Sequence, residues 1–239
     1  MTNDSSKNRI FAIDVSALSD PAIFDACYKA QRPDRRERID KMRFDSGKRL
    51  SLGAGVVMEH ALSFAGCSAR DIVITPQGKP TVKGCSFNLS HTADIAVCAI
   101  SDLEVGIDIE RPRTLSDAVI KRAFTPHEIE MVGDDTERFI RLWTIKESVM
   151  KWYGLGLGLM PEHINITVSE DIFTDLENSG SNDVFMTNDI RIDITDHPEL
   201  ASRALGLFFS TYNHEDYRIT VCSEYEKFAE SITWINPAL

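Results

Sequence analysis

Two carboxylates stand two residues apart in the stretch VGIDIE, which runs from Val105 to Glu110. In a β-strand, residues two apart point to the same side, so Asp108 and Glu110 would share one face and Ile107 and Ile109 the other. Two neighbouring negative charges raise each other's pKa, whereas a divalent cation with oxygen ligands removes the repulsion. The spacing therefore predicts either a metal site or a strand edge that faces solvent.

A predicted helix supplies a third carboxylate together with a cation. In LWTIKESVMKWYG, Trp143, Glu147 and Lys151 recur at every fourth position and lie along one stripe of the helix, with Lys146 one residue off it. A Glu147–Lys151 pair alone would be an ordinary surface contact. The tryptophan on the same stripe and the glycine-rich segment after the helix favour a site instead.

The stretch FNLSHTAD offers a hydroxyl and an imidazole. Ser90 and His91 are adjacent, so in a regular strand their side chains point opposite ways, and a nucleophile–base pair is not predicted. Where a strand meets a turn, the two residues can bind phosphate oxygens or simply form a hydrogen-bonded turn.

These residues need a frame of strands and helices to hold them. Apolar alternation predicts strands over 10–15, 71–75, 87–90, 95–100, 105–110, 163–168, 190–194, 204–211 and 217–222. Helical spacing predicts helices over 21–30, 114–124, 126–132 and 136–153, and a longer one over 35–64 that breaks at 45–47. The polar stretch 174–188 is expected to be a mobile surface loop. Helices followed by strands occur twice, which predicts an α+β protein with halves 1–102 and 103–239.

Composition and charge narrow the class of protein. The 239 residues carry a formal charge of -11, and residues 161–239 hold fifteen acids against four bases, whereas 29–49 hold nine bases against four acids. An acidic chain with one basic stretch suits a discrete anionic ligand better than a long nucleic acid. No apolar run reaches the roughly 20 residues of a membrane span, and no signal peptide is recognised, so a cytoplasmic protein is expected. The five cysteines show no metal-ligand spacing and are expected to be reduced.

Taken in order, several short segments resemble the signature series of the phosphopantetheinyl transferases. They are RLSLGAGVV at 49–57, GKP at 78–80, FNLSH at 87–91, GIDIE at 106–110, FTPHE at 124–128 and WTIKESVMKWYGLGL at 143–157. Their order and spacing are similar to the longer, surfactin-type branch of that family, and the resemblance spans about residues 35 to 168. It implies two similar halves related by a pseudo-twofold axis, each with helices on a small, mostly antiparallel sheet, and an active site at their interface.

The resemblance also implies roles for single residues. Asp108, Glu110 and Glu147 would ligate Mg²⁺, which would hold the diphosphate of coenzyme A. Lys151 would reach a diphosphate oxygen, and Glu147 would be the general base, with Glu128 as the second candidate. The implied contacts to the nucleotide end of coenzyme A lie mostly in the first half: Arg49, Lys79, Pro80, Ser90 and His91.

The implied reaction moves the phosphopantetheine arm from coenzyme A to a serine of an acyl or peptidyl carrier protein and releases adenosine 3',5'-bisphosphate. The enzyme is expected to be a monomer that binds neither nucleic acid nor membrane. Two alternatives stay open: a Mg²⁺-dependent nuclease or phosphatase, and a non-catalytic module that binds coenzyme A or a carrier protein. The second alternative predicts a lost base or metal ligand, and all three carboxylates and Lys151 are present.

Overall fold

The computed structural model describes residues 8–154, 159–168, 173, 184–187, 190–195 and 197–238. Its helices are α1 Pro21–Ala30, α2 Pro33–Asp40, α3 Asp45–Phe64, α4 Asp117–Ala123, α5 Pro126–Val132, α6 Thr136–Tyr153 and α7 Pro198–Ala204. Its strands are β1 Arg9–Asp14, β2 Val73–Ile74, β3 Pro80–Thr81, β4 Ser86–Thr92, β5 Ile95–Ser101, β6 Val105–Glu110, β7 Ile164–Thr167, β8 Val184–Thr187, β9 Arg191–Ile194, β10 Phe208–His214, β11 Tyr217–Ser223 and β12 Thr233–Trp234. The predicted α+β class is confirmed. Among the described residues, no helix is long and apolar enough to cross a membrane.

Two four-stranded sheets form the centre of the molecule. Sheet A has the order β12-β1-β5-β4 and sheet B the order β6-β11-β10-β8, and every strand pairing in them is antiparallel except that of β12 with β1. Strand β12 follows sheet B in the sequence but belongs to sheet A. The end of the chain therefore ties the two sheets together.

The apolar side chains of the sheets create successive layers. One face of sheet A packs against α3, through contacts such as those of Phe11 and Ile13 with Leu52. Its opposite face packs against sheet B, where Ile107 and Ile109 are buried. Helix α6 covers the far face of sheet B. The order of layers is thus α3, sheet A, sheet B and α6.

A glycine allows α6 to lie close to β6. A Cβ atom at Gly106 would stand 1.9 Å from the carbonyl oxygen of Ser148 and 2.6 Å from the backbone nitrogen of Trp152, both on α6. No side chain fits there, so only glycine permits this approach. Because Asp108 lies two residues along the same face of β6, the approach also brings its carboxylate to α6.

Local capping explains where the predicted helices begin and end. Asp135 caps α6 by accepting hydrogen bonds from two backbone N–H groups, and Gly154 ends it in the left-handed conformation. Thr125 and Glu128 form a reciprocal capping box at the start of α5. The bounds predicted for these two helices are confirmed.

Other predicted bounds were wrong. Residues 184–187 of the predicted loop form β8, which pairs with β10, because VFMT favours a strand and completes the edge of sheet B; residues 174–183 and 188 lie outside the described residues. The strand predicted over 204–211 begins only at Phe208, since Pro198 starts α7. The break between α2 and α3 falls at 41–44 rather than at 45–47.

Candidate active site

A cavity of about 600 Å³ runs from α6 across β4 and β6 to α2. One end of it is acidic and is lined by Asp108, Glu110 and Glu147, together with Lys151 and Trp143. Strand β6 presents the first two carboxylates, and one stripe of α6 presents the other three side chains. The structure thus brings together residues that the alternation of a strand and the period of a helix had placed on separate elements.

Asp108 is the most constrained of these carboxylates. Its Oδ1 atom accepts hydrogen bonds from the Ser90 hydroxyl at 2.8 Å and from the Lys151 ammonium at 2.5 Å. Lys151 also donates to the Ser90 hydroxyl oxygen at 2.8 Å. Within the described part of the chain, the buried Oδ2 atom of Asp108 has no hydrogen-bond partner. One oxygen is therefore held by the protein, and the other is left for a ligand.

The other two carboxylates are destabilised as anions. Burial raises the pKa of Glu147, and the neighbouring charge of Asp108 raises it further, although Lys151 acts in the opposite direction. Burial and Asp108 likewise raise the pKa of Glu110, which Arg113 at 3.6 Å and a hydrogen bond with the Trp143 side chain partly offset. This end of the cavity holds more negative charge than its surroundings neutralise.

The opposite end of the cavity is basic. Arg32, Arg35 and Arg38 line it, together with His91 and with Asp34, whose carboxylate pairs with Arg32 at 2.8 Å. Arg35 donates to the carbonyl oxygen of Ser51 at 2.6 Å, while its buried Nε atom has no hydrogen-bond partner among the described residues. Burial and the charges of Lys151, Arg38 and Arg35 lower the pKa of His91. Ser90 is buried and His91 is exposed, although both residues line this cavity.

Of the nine basic residues at 29–49, sequence reasoning named only Arg49 as a ligand. The three arginines are spaced three residues apart across the start of α2, and that spacing places side chains on one side of a helix. It was the one signal that could have identified them. Leu89 and Pro80 also line the cavity, and Pro80 was among the predicted contacts.

Three predicted site residues, Arg49, Lys79 and Glu128, are not among the described residues that line the cavity. Arg49 is half-buried on α3 and is not among the described residues that line the cavity. Lys79 also lies outside that lining, where its ammonium pairs with Glu104 at 2.5 Å and donates to the carbonyl oxygen of Trp152 at 3.0 Å. These two side chains are therefore not carried into the proposed site.

Glu128 has a structural position rather than the predicted catalytic one. Its side chain is completely buried and pairs with the equally buried Lys146 at 2.6 Å. Its two oxygens also accept hydrogen bonds from the backbone N–H groups of Thr125 at 2.7 Å and Ile166 at 2.8 Å. A carboxylate with these partners cannot reach a substrate proton, so the role of a second general base does not fit.

The acidic end suits a hard cation. Carboxylate oxygens are the ligands that Mg²⁺ prefers, and the free, buried Oδ2 atom of Asp108 is a polar group that still lacks a partner. The carboxylates are not yet gathered around a common point: among the described residues, no group of three or more His, Cys, Asp or Glu side chains is arranged to hold a metal ion. Lys151 neutralises Asp108 in this arrangement.

Comparison with known proteins gives one consistent result. The family model described as "4'-phosphopantetheinyl transferase superfamily" matches residues 104–222. A 4'-phosphopantetheinyl transferase of Bacillus subtilis is 27% identical over 159 residues, which are 64% of this chain and 61% of the relative. The transferase Sfp of Bacillus subtilis strain 168 is 24% identical over 85% of this chain and 87% of its own length. The transferase psf-1 of Bacillus pumilus is 30% identical over 58% of this chain and 64% of its own length. The chain thus spans less than two thirds of the first and third relatives.

Proposed function

We propose that this chain transfers the phosphopantetheine arm of coenzyme A to a serine of an acyl or peptidyl carrier protein, because residues 104–222 match the family model of the 4'-phosphopantetheinyl transferase superfamily. One observation carries the proposal. A single cavity is acidic at one end, with an ammonium group beside the acids, and basic at the other. A diphosphate with a bound cation fits the acidic end, and a nucleotide phosphate fits the basic end.

The active site would lie between two similar halves of the surfactin-type branch, related by a pseudo-twofold axis. The contacts of Ser90 on β4 with Asp108 on β6 and Lys151 on α6 support this proposal, since they join the two halves at the cavity. The packing of α3 on sheet A and of α6 on sheet B also supports it. The division at residue 102, the monomeric state and the cytoplasmic location stay predictions.

Asp108, Glu110 and Glu147 would hold Mg²⁺. When bound, the ion supplies positive charge that stabilises the diphosphate oxygens during the displacement. The free Oδ2 atom of Asp108 and the raised pKa values of the other two carboxylates support this assignment, because a cation relieves both.

Lys151 and Glu147 would act on the reacting groups. Lys151 carries a mobile ammonium that can leave Asp108 for a diphosphate oxygen and so neutralise charge on the leaving group. Glu147 would take the proton of the attacking serine as the general base. A bond forms between the serine oxygen and the β-phosphorus, and the bond from that phosphorus to the bridging oxygen breaks. Adenosine 3',5'-bisphosphate leaves.

The nucleotide end of coenzyme A would lie against Arg32, Arg35, Arg38 and His91. Guanidinium groups bind phosphate with two parallel hydrogen bonds, which makes them suited to a terminal phosphate monoester. The unpartnered Nε atom of Arg35 supports this orientation, because it is a buried donor that a phosphate oxygen can satisfy.

The experiment is mass spectrometry of a carrier protein lacking its arm, incubated with coenzyme A, Mg²⁺ and this protein. We expect the carrier to gain the mass of phosphopantetheine, the variant Asp108→Ala to lose this activity, and Ser86→Ala, outside the cavity lining on the same strand as Ser90, to keep it. No modification of any acyl or peptidyl carrier, with cleavage of added nucleic acid instead, would reject the proposal.

A further inference from the structure

Ser90 has a buried hydroxyl whose hydrogen is already used. Its residue is 7% exposed, and its Oγ atom donates to Oδ1 of Asp108 at 2.8 Å. The same oxygen accepts a hydrogen bond from Lys151. A serine hydroxyl has a single hydrogen to donate, so Ser90 can give it to a phosphate oxygen only by releasing Asp108.

The two oxygens of Asp108 have different surroundings as a result. Oδ1 receives both the hydroxyl and the ammonium, whereas the buried Oδ2 has no hydrogen-bond partner within the described residues. Leaving a buried carboxylate oxygen without a partner costs free energy, and a bound ligand removes that cost. A hydrogen bond from Ser90 to Oδ1 also fixes the rotation of the carboxylate, so it determines where Oδ2 points.

The fold places Ser90 opposite Asp108 for a reason that strand geometry explains. Strand β4 of sheet A contacts strand β6 of sheet B. The side chain of Asn88, two residues before Ser90, accepts a hydrogen bond from the backbone N–H of Ile107 at 3.4 Å. Residues two apart on β4 share a face, so Ser90 reaches β6 one step further along, next to Asp108. The packing of the two strands, and not a flexible loop, determines the position of Ser90.

We infer that Ser90 is a positioning residue of the proposed metal site: its hydroxyl holds Oδ1 of Asp108 so that Oδ2 is the oxygen offered to the ion. The inference rests on the proposed function and deepens it, since it moves Ser90 from the nucleotide contacts to the support of a metal ligand. Groups that hold metal ligands in place typically contribute 10- to 100-fold to metal affinity, in round figures.

The test measures metal binding by the protein alone, without coenzyme A. Mn²⁺ is the probe, because it accepts the same octahedral oxygen surroundings as Mg²⁺ and is visible by electron paramagnetic resonance. We expect Ser90→Ala to weaken Mn²⁺ binding by about 10- to 100-fold, and Ser90→Thr, which keeps the hydroxyl, to restore most of it. Ser86→Ala is the matched control, since it removes the same group from the same face of β4 at a position where the hydroxyl contacts Glu104.

The outcomes separate this inference from the proposed function. Unchanged Mn²⁺ affinity in Ser90→Ala, with a raised KM for coenzyme A, would overturn the inference and assign the hydroxyl to a phosphate. Transfer to the carrier by the unaltered protein would still support the proposed function in that case. Mn²⁺ binding that Asp108→Ala does not weaken would overturn it as well. Serine-dependent Mn²⁺ binding without carrier modification would support the inference and reject the function. Should Ser90→Ala fail to fold, Ser90→Cys replaces it with the same expectations, because a thiol is a weak donor of similar size.

Discussion

The buried pair of Glu128 and Lys146 allows the sharpest test of which residues serve the fold. Both side chains are 0% exposed and their charged atoms are 2.6 Å apart. Lys146 also donates to the carbonyl oxygens of Ala123 at 2.8 Å and Pro161 at 3.0 Å. The pair therefore joins α6 to α5, and Lys146 also joins α6 to the end of α4 and to the segment before β7.

Lys146→Met should destabilise the protein by about 3–5 kcal/mol, because it leaves the carboxylate of Glu128 buried without its counter-ion. Glu128→Leu should cost at least as much, since it strands a buried ammonium and also removes the capping box of α5, worth about 1 kcal/mol. The double variant should cost clearly less than the sum of the two, because no unpaired charge remains. Lys29→Met is the matched control: its i,i+4 pair with Asp25 is also short at 2.5 Å but is exposed, so the expected change is about 0–1 kcal/mol.

The assay is equilibrium unfolding in urea, followed by tryptophan fluorescence and circular dichroism, on the four variants and the unaltered chain. Transfer to a carrier protein is then measured per folded molecule. A change within 1 kcal/mol for Lys146→Met, about the scale of a surface pair, would refute the reasoning from burial. Unaltered stability of Glu128→Gln combined with a fall in kcat of about 100-fold or more would return Glu128 to the chemistry.

Three further predictions concern the cavity, and a fourth concerns Lys79 outside its lining. Asp108→Ala should abolish Mg²⁺-dependent transfer while the fold is kept, and calorimetry should show weaker metal binding; equal metal affinity and rate would remove Asp108 from the site. Glu147→Gln should lower kcat by about 10²–10⁴-fold with coenzyme A still bound, and rescue by excess Mg²⁺ would instead make it mainly a ligand. His91→Ala should raise the KM for coenzyme A tenfold or so, by the loss of about 1.5 kcal/mol from a charged hydrogen bond, and should affect dephospho-coenzyme A little; Lys79→Ala, outside the cavity lining, should change thermal stability more than KM.

The parts of the site that could be predicted are those that depend on short periodicities. The alternation along β6 predicted that Asp108 and Ile107 face opposite sides of the strand. The period of α6 predicted that Trp143 and Glu147 lie on one face of the helix. Each prediction needed only its own segment of the sequence. Capping residues of α5 and α6 are equally local, which is why the bounds of these helices were predicted correctly. The resemblance to the phosphopantetheinyl transferases, and neither periodicity alone, predicted that the two segments contribute to one site.

The remaining features depend on contacts between distant residues. The partner of Glu128 is 18 residues away, and its carboxylate also reaches Ile166, so nothing near FTPHE indicates a buried ion pair. Strand β8 forms because β10 offers an unpaired edge, a condition that a polar stretch of sequence does not reveal. The position of Lys79 similarly depends on the end of α6.

The two carboxylates on β6 can be understood from the balance of negative and positive charge at the acidic end of the cavity. Three carboxylates line that end, and Lys151 pairs directly with Asp108. Burial and mutual repulsion raise the pKa of Glu110 and of Glu147, which means that folding places these groups where their charged forms are disfavoured. A core that only had to be stable would not keep them, because apolar residues of similar size would pack there without repulsion. A divalent cation reverses the sign of these interactions, because each carboxylate that repels its neighbours attracts the ion. The local cost to folding and the proposed affinity for metal therefore have the same cause, which is the repulsion among these carboxylates. The Oδ2 atom of Asp108, which has no hydrogen-bond partner among the described residues, is the oxygen available to a ligand.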